Sequence, residues 1–464
     1  MSVPRVTSEG MRGRGGVLLV SCYELGHQPL GVAWPMAFLS RAGFKPVCRD
    51  VSVDALSRSE IHRAAVVVIA VPMHTALQLG VRVAGMVLEE NPGCRVVFQG
   101  LYAVLNSAIL EDVGAAACLG GESENSLVSL LESWERGEDG DRVQVDVKRQ
   151  EFPVPDRTSL PELGRYAALE LVDDSGRLRT IKGGSVEASR GCRHLCTHCP
   201  IPPVYGGKFV AVPVEVVLAD VAQQVDSGAG HITFADPDFL NGPTHALRVA
   251  RALNETFPDV TFDFTAKIEH LVERGEVLQE LVACGATFVV SAVEALSDRV
   301  LQTLDKGHGR EDVGEALRRC REAGLPMRPT WVPFTPWSTM ADFREILEFV
   351  GGQGLVTHVD PVQYSIRLLV PPGSLLENHA GFMPHRRELD REALSWNWVH
   401  PDPEMDVLQR DVAQLVENAA GAGHSGTETF LHVAELAGVS LTPDQVAVTI
   451  AGRAAPRLTE DWFC

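Results

Sequence analysis

Three cysteines, Cys192, Cys196 and Cys199, stand in the segment SRGCRHLCTHCPIPPVYGGKF, just after an apolar run that ends near Ala188. A fold containing this stretch must bring three soft thiolates together from one loop at a strand end. That donor set suits an iron–sulfur cluster or zinc. Three thiolates can hold three irons of a [4Fe–4S] cube and leave the fourth open to another ligand. With His194 or His198 as a fourth ligand, the same loop would close a tetrahedral zinc site. A strand end within a βα series is where a reactive site is expected, which favours the open cluster.

The surrounding rhythm is βα. From about 184 to 374, amphipathic helical stretches (Val214, Val217, Leu218, Val221 and Val225 on one face) alternate with short strand runs at His231–Phe234, Val260–Phe264, Thr287–Val293, Met327–Val332 and Thr357–Tyr364. Counting the strand before Cys192 gives six units. This is too few to close an eight-stranded barrel, so an open, curved partial (β/α)6 barrel is expected, with its chemistry at the C-terminal strand ends. Residues 15–135 form an earlier series. Val17–Val20, Ala65–Val71 and Cys94–Phe98 read as strands buried on both faces, with helices such as Trp34–Arg41 and Leu77–Leu88 between them. The fold class is therefore α/β: a Rossmann-like domain at 15–135 followed by the partial barrel at 184–374. Residues 136–183, charged and then rich in proline, read as a linker with little structure. Residues 375–464 read as a separate C-terminal extension.

The chain has 464 residues, enough for about three domains. Its formal net charge of −20 argues against a general nucleic-acid surface, which needs a basic footprint. No run reaches the roughly 18 apolar residues of a membrane span. The N-terminal apolar run is interrupted by Cys22, Tyr23 and Glu24 and reads as a strand, so a cytoplasmic protein is expected. Cys22, Cys48, Cys94, Cys118, Cys284 and Cys320 are scattered singly and read as small buried hydrophobes.

Cys-x3-Cys-x2-Cys after the first strand of a six-unit partial barrel resembles the signature of the radical S-adenosylmethionine (SAM) superfamily. The resemblance implies a [4Fe–4S] cluster on Cys192, Cys196 and Cys199, with SAM chelating the open iron. It further implies one-electron cleavage of a carbon–sulfur bond of SAM, fed by a donor such as flavodoxin or ferredoxin. Other positions follow from it. His198 replaces the family's usual aromatic residue and would stack near the adenine, or else support the loop. Asp236, in FADPDFLN, would face the amino group of SAM; an Asp-Pro turn or helix cap is the alternative. Ser291 and Glu294, with Lys306 downstream, resemble a segment that would contact the ribose or methionyl part, or else form a cap and an ion pair. Arg367 would pair the carboxylate of SAM or an anionic substrate, or else serve as a structural ion-pair partner.

The first domain resembles cobalamin-binding domains of radical SAM proteins. The likeness rests on its Pro29 loop, Arg41-Ala42-Gly43-Phe44, Asp50, Thr75, Gly100 and Gly120-Gly121-Glu122-Ser123-Glu124. It lacks the Asp-x-His-x-x-Gly motif that ligates cobalt, so it implies cobalamin held without that ligand, or a docking domain that has lost it. The end, PRLTEDWFC, resembles the CUAEP/CCAEP-tail family of radical SAM proteins, cut at the first cysteine as if a selenocysteine codon had been read as a stop. That makes Cys464 a candidate catalytic thiol. The expectation is an enzyme, most simply a transferase, that modifies a small molecule by methyl transfer or radical carbon-bond formation. The alternatives are transfer of a 3-amino-3-carboxypropyl group to a soft atom such as arsenic, and a non-enzymatic cluster or zinc sensor.

Overall fold

Two sheets dominate the chain, the first wholly parallel and the second mixed. The structure is a computed structural model and describes residues 8–173, 175–440 and 455–460. The first sheet contains β1 (Val17–Ser21), β2 (Val47–Asp50), β3 (Val66–Ala70), β4 (Arg95–Gln99), β5 (Ala115–Gly121) and β6 (Val143–Asp146). Its order is β2-β1-β3-β4-β5-β6, and every pairing is parallel. Alternate residues feed two cores. Leu18, Val20, Val67 and Ile69 face one side, and Val17, Leu19, Val66 and Val68 the other. Both faces are covered, which is why these strands read as unbroken apolar runs. Each such side chain contributes about 1.5–3 kcal/mol by leaving water.

One helix on this sheet, Leu30–Arg41, contains Pro35. Proline has no N–H to give the carbonyl of Gly31. The Gln99 side-chain amide donates to that carbonyl instead, tying the helix to the end of β4.

The segment expected to be a linker is structured. Val143–Asp146 is the sixth strand of the first sheet, short and half exposed. β7 (Ala168–Val172) and β8 (Leu178–Val186) form an antiparallel pair, turned where Asp173 accepts hydrogen bonds from Ser175 and Arg177. The second sheet thus begins at Ala168, before the expected 184. A short antiparallel pair follows, β9 (Ser189–Gly191) with β10 (Phe209–Ala211). β11 (His231–Phe234), β12 (Thr261–Thr265), β13 (Ala286–Glu294) and β14 (Met327–Trp331) then complete a half-barrel.

The strand expected at Thr357–Tyr364 is absent. Two 3-10 turns, Val356–His358 and Pro361–Ser365, take its place, because Pro361 removes a ladder donor. One parallel bridge, Phe334 to Arg367, marks the sixth position. The C-terminal region is also less separate than expected. After the hairpin β15 (Arg386–Asp390) and β16 (Ser395–Trp398), helices Pro403–Ala422 and Gly426–Leu436 place Met405, Val412, Phe430 and Val433 in the barrel core. A last strand, β17 (Arg457–Leu458), pairs with β7, so the second sheet runs β14-β13-β12-β11-β8-β7-β17. Among the described residues no helix is long and apolar enough to cross a membrane.

Candidate active site

The cysteine loop leaves the C-terminal end of β8 and is closed at its base by the β9–β10 pair, with Gly191 opposite Phe209. Asn241 holds its first turn: Oδ1 accepts from the Arg193 N–H at 3.2 Å and lies 3.8 Å from the Cys192 sulfur. Further along, the Thr197 N–H and hydroxyl donate to the carbonyls of Leu304 and Thr303, both at 3.0 Å. Lys267, buried after β12, points its ammonium at the Cys196 sulfur at 3.7 Å. Burial pushes the Cys199 thiol up to about 12 and raises Cys192, so a metal bound here would displace protons from the thiols.

The zinc alternative does not fit this geometry. Among the described residues, one set of three ligand-type atoms lies within 4.8 Å of one another, and it is His194, Asp238 and His270. Neither histidine of the loop turns to the thiols. His194 Nε2 meets His270 Nε2 at 3.1 Å, and His270 Nδ1 lies 2.7 Å from the buried Asp238 carboxylate. His198 Nε2 meets Glu294 at 3.3 Å.

Glu294 is the electrostatic centre of the barrel mouth. It accepts from Lys306 Nζ at 3.2 Å as well as facing His198. Burial alone would push its carboxyl up. The Lys306 ammonium, then His198, outweigh that and hold it down at about 2. Glu294 also has a φ of 67°, a left-handed backbone at the irregularity that ends β13's pairing with β14. Side chains other than glycine adopt it at a cost, and functional sites are where such strain collects. His198 Nδ1 is buried without a partner among the described residues. With Lys306 on the same Glu294 carboxylate, this orphan atom gives the mouth unmet capacity for a polar ligand, which fits SAM. When bound, the cluster supplies the electron for cleaving SAM. The residues here hold the loop and balance its charge.

Other sequence candidates land differently. Asp236 is buried, with Oδ1 accepting from the Ala188 N–H at 2.7 Å and Oδ2 from the Ser189 hydroxyl at 2.5 Å. Its carboxyl, pushed up to about 7 by burial against those bonds, fixes the entry to the cysteine loop. Ser291 does not face the mouth. It is fully buried and its hydroxyl donates to the Ala266 carbonyl at 2.7 Å, closing the end of β12 onto β13. Arg367 also stays apart from the other candidates. It pairs with Asp406 at 2.6 Å, donates to the Trp398 carbonyl and lies 3.5 Å over the Trp398 ring, pinning the C-terminal helices. Cys464 lies outside the described residues. Sequence reasoning missed Lys267 and Asn241, whose contacts cross 71 and 49 positions and leave no local pattern.

A second cavity lies between the sheets. Strand order reverses between β1 and β3, and open α/β sheets bind ligands at that crevice. The loops after β1 (Glu24, His27), β3 (Pro72, Met73) and β4 (Gly100) line a cleft of about 280 Å³. Gly100 has a φ of 116°, and a Cβ there would sit 2.9 Å from the Val71 carbonyl oxygen, so only glycine brings the two loops together. Gln99 Oε1, in the cleft wall, is buried without a partner among the described residues, which suits a ligand with amide donors. The cleft's far wall is the barrel. There Arg190 reaches Glu124 at 2.8 Å, Glu122 at 3.4 Å and Glu187 at 2.9 Å, and the Tyr205 hydroxyl donates to Glu122 at 3.0 Å.

Residues 186–350 match the family model described as the Radical SAM superfamily. That match spans the half-barrel and its cysteine loop, and the family it describes works with a [4Fe–4S] cluster and SAM. The ribosomal protein uS12 methylthiotransferase RimO of Alkalilimnicola ehrlichii is 29% identical over 185 residues, 36% of this chain and 41% of that protein. The chain covers less than two thirds of the length of the curated relatives it matches. Two solved structures share the fold. The cobalamin-dependent SAM radical enzyme OxsB, solved with aqua-cobalamin, superposes with a TM-score of 0.66 at 14% identity, over 93% of this chain and 70% of that one. The radical SAM methyltransferase TsrM from Kitasatospora setae, solved with cobalamin and a [4Fe–4S] cluster, gives 0.56 at 17% identity, over 73% and 70%.

Proposed function

We propose that this chain is a cobalamin-dependent radical SAM transferase that methylates a small molecule held in the barrel lumen. The observation that carries the reading is a shared wall. The cleft between the sheets and a lumen cavity of about 320 Å³ are both lined by Leu25, His27, Ile201, Ala235 and Pro237. A corrin in the cleft would lie next to whatever the lumen holds, and next to the cysteine loop that carries Ile201. Cobalamin, when bound, supplies a cobalt centre able to carry a methyl group. The side chains do the rest: Gln99 and the loops after β1, β3 and β4 would hold the corrin, and the Glu294–Lys306–His198 group would orient SAM. His27, held neutral at a value of about 4 chiefly by burial, adds no charge to the shared wall. OxsB and TsrM, which share the fold, were each solved with cobalamin, and this supports the reading.

The chain's acidity disfavours an RNA substrate. A cytoplasmic flavodoxin or ferredoxin would deliver the electron. The likeness of the C-terminal sequence to CUAEP/CCAEP tails keeps Cys464 as a proposed reactive thiol. The test is anaerobic reconstitution of the full chain with iron, sulfide and hydroxocobalamin, followed by a reduced SAM assay. About four irons and one cobalamin per chain, with S-adenosylhomocysteine and 5′-deoxyadenosine as products, would support methyl transfer. 5′-Deoxyadenosine without S-adenosylhomocysteine, and no retained cobalamin, would move the enzyme to hydrogen abstraction. Methylthioadenosine would indicate aminocarboxypropyl transfer.

A further inference from the structure

A half-barrel has a side opening, because its first and last strands do not meet. Here the C-terminal segment occupies that opening. On one edge β17 extends the sheet: Arg457 stands opposite Glu170 and Leu458 opposite Leu169, and the Thr459 N–H donates to the Ala168 carbonyl at 2.8 Å. On the other edge Arg328 of β14 donates to the Pro456 carbonyl at 3.5 Å while pairing with Asp360 at 2.8 Å. The same few residues also reach the first domain. The Tyr23 hydroxyl donates to Glu460 at 2.8 Å. Gly26, with a φ of 70°, lies so close that a Cβ would come within 2.8 Å of the Glu460 Cβ. Leu458 packs with Leu169, Phe288 and Val290, which ties the segment to the lumen wall.

We infer that Ala455–Glu460 is the closing wall of the lumen, and that it commits this enzyme to a compact small-molecule substrate rather than a polymer. The identification of the lumen as the substrate chamber rests on the proposed function; the closure itself does not. Arg457, Leu458 and Glu460 line the cavity of about 320 Å³ directly, facing Asp263, Arg328 and Asp360. Its charged groups are engaged with partners, Arg328 with Asp360, Arg457 with Glu170 and Glu460 with Tyr23, and the surface left to a ligand is mostly apolar, with Phe234, Phe288, Val290 and Leu458 in the lining. A nucleic-acid or protein chain would need the side opening that the tail fills. A compact molecule would not.

The test uses the full, iron-reconstituted chain with Cys464→Ser and Val290→Cys, so that one reporter thiol lies in the lumen. Labelling with iodoacetamide is compared with labelling by a 5-kDa polyethylene glycol maleimide. Closure predicts that the small reagent reacts and the polymer does not. Adding Thr459→Pro, which removes the donor to Ala168, should raise the polymer rate at least tenfold. Leu458→Gly provides a second opening variant should the proline disturb folding, and iron content reports an intact cluster loop in each. Equal polymer rates with and without the opening changes would overturn the closure. If the contrast persists in a protein that retains no cobalamin, the wall stands and the methyl-transfer reading falls.

Discussion

At the scale of single residues, the mouth depends on Glu294. Lys306 is buried against it, and removing one partner of a buried pair leaves an uncompensated charge. Lys306→Met should cost about 3–5 kcal/mol in chemical denaturation of the reconstituted protein. Lys306→Met with Glu294→Gln should recover a large part of that loss, because the orphaned charge is gone. Glu24 makes a separate case at the cleft. Its carboxylate accepts the N–H groups of Leu30 and Gly31, both at 2.8 Å, yet burial pushes it up to about 8. A raised carboxyl keeps its proton in the fold after the unfolded chain has lost it, so its contribution to stability falls as pH rises from about 4.5 to about 8. Melting temperature measured across that range should fall less steeply in Glu24→Gln than in the parent. The three cysteines were legible as a group because one short loop carries all of them. Glu294 was legible as a position, but its strained backbone and the reach of Lys267 to Cys196 come from tertiary packing alone. Asp236 was found in the right place for another reason: its partners, Ala188 and Ser189, are fixed only when β8 and β11 lie side by side.

At the scale of elements, periodicity revealed strands that are buried and long, and missed those that are short or lie at edges. β6 is only four residues long and exposes Val143 and Val145, and β17 gains its order from β7, almost 300 residues away. The sixth barrel strand was expected from an apolar run, but Pro361 cannot donate and the run folds into 3-10 turns. The loop after β4 illustrates what an element end can require. In Gly100→Ala the new Cβ would press on the Val71 carbonyl from a backbone conformation that alanine resists. The expected result is a loss of roughly 1–3 kcal/mol and, by the proposed function, at least tenfold weaker cobalamin retention with iron content unchanged. Equilibrium dialysis with hydroxocobalamin reads the second effect.

At the scale of the whole molecule, two sheets meet through buried charge. Arg190 comes from the barrel, while Glu122 and Glu124 come from the first domain. Arg190→Met would strand those carboxylates and should cost about 3–5 kcal/mol, unless paired with Glu122→Gln and Glu124→Gln. Differential scanning calorimetry should show the parent melting as one transition and the single variant splitting towards two. The order of the two α/β series was readable from strand and helix rhythm. Their interface was not, since nothing local distinguishes a surface glutamate from one that meets an arginine 66 positions away.

That arginine stands two residues before Cys192. A rigid-body shift of one sheet against the other must therefore tug on the first thiol. Occupancy of the crevice and integrity of the iron site then become linked quantities, each changing the other's affinity by the same factor. Oxygen damage to the metal centre should loosen whatever the crevice holds, and a filled crevice should protect the metal centre in return.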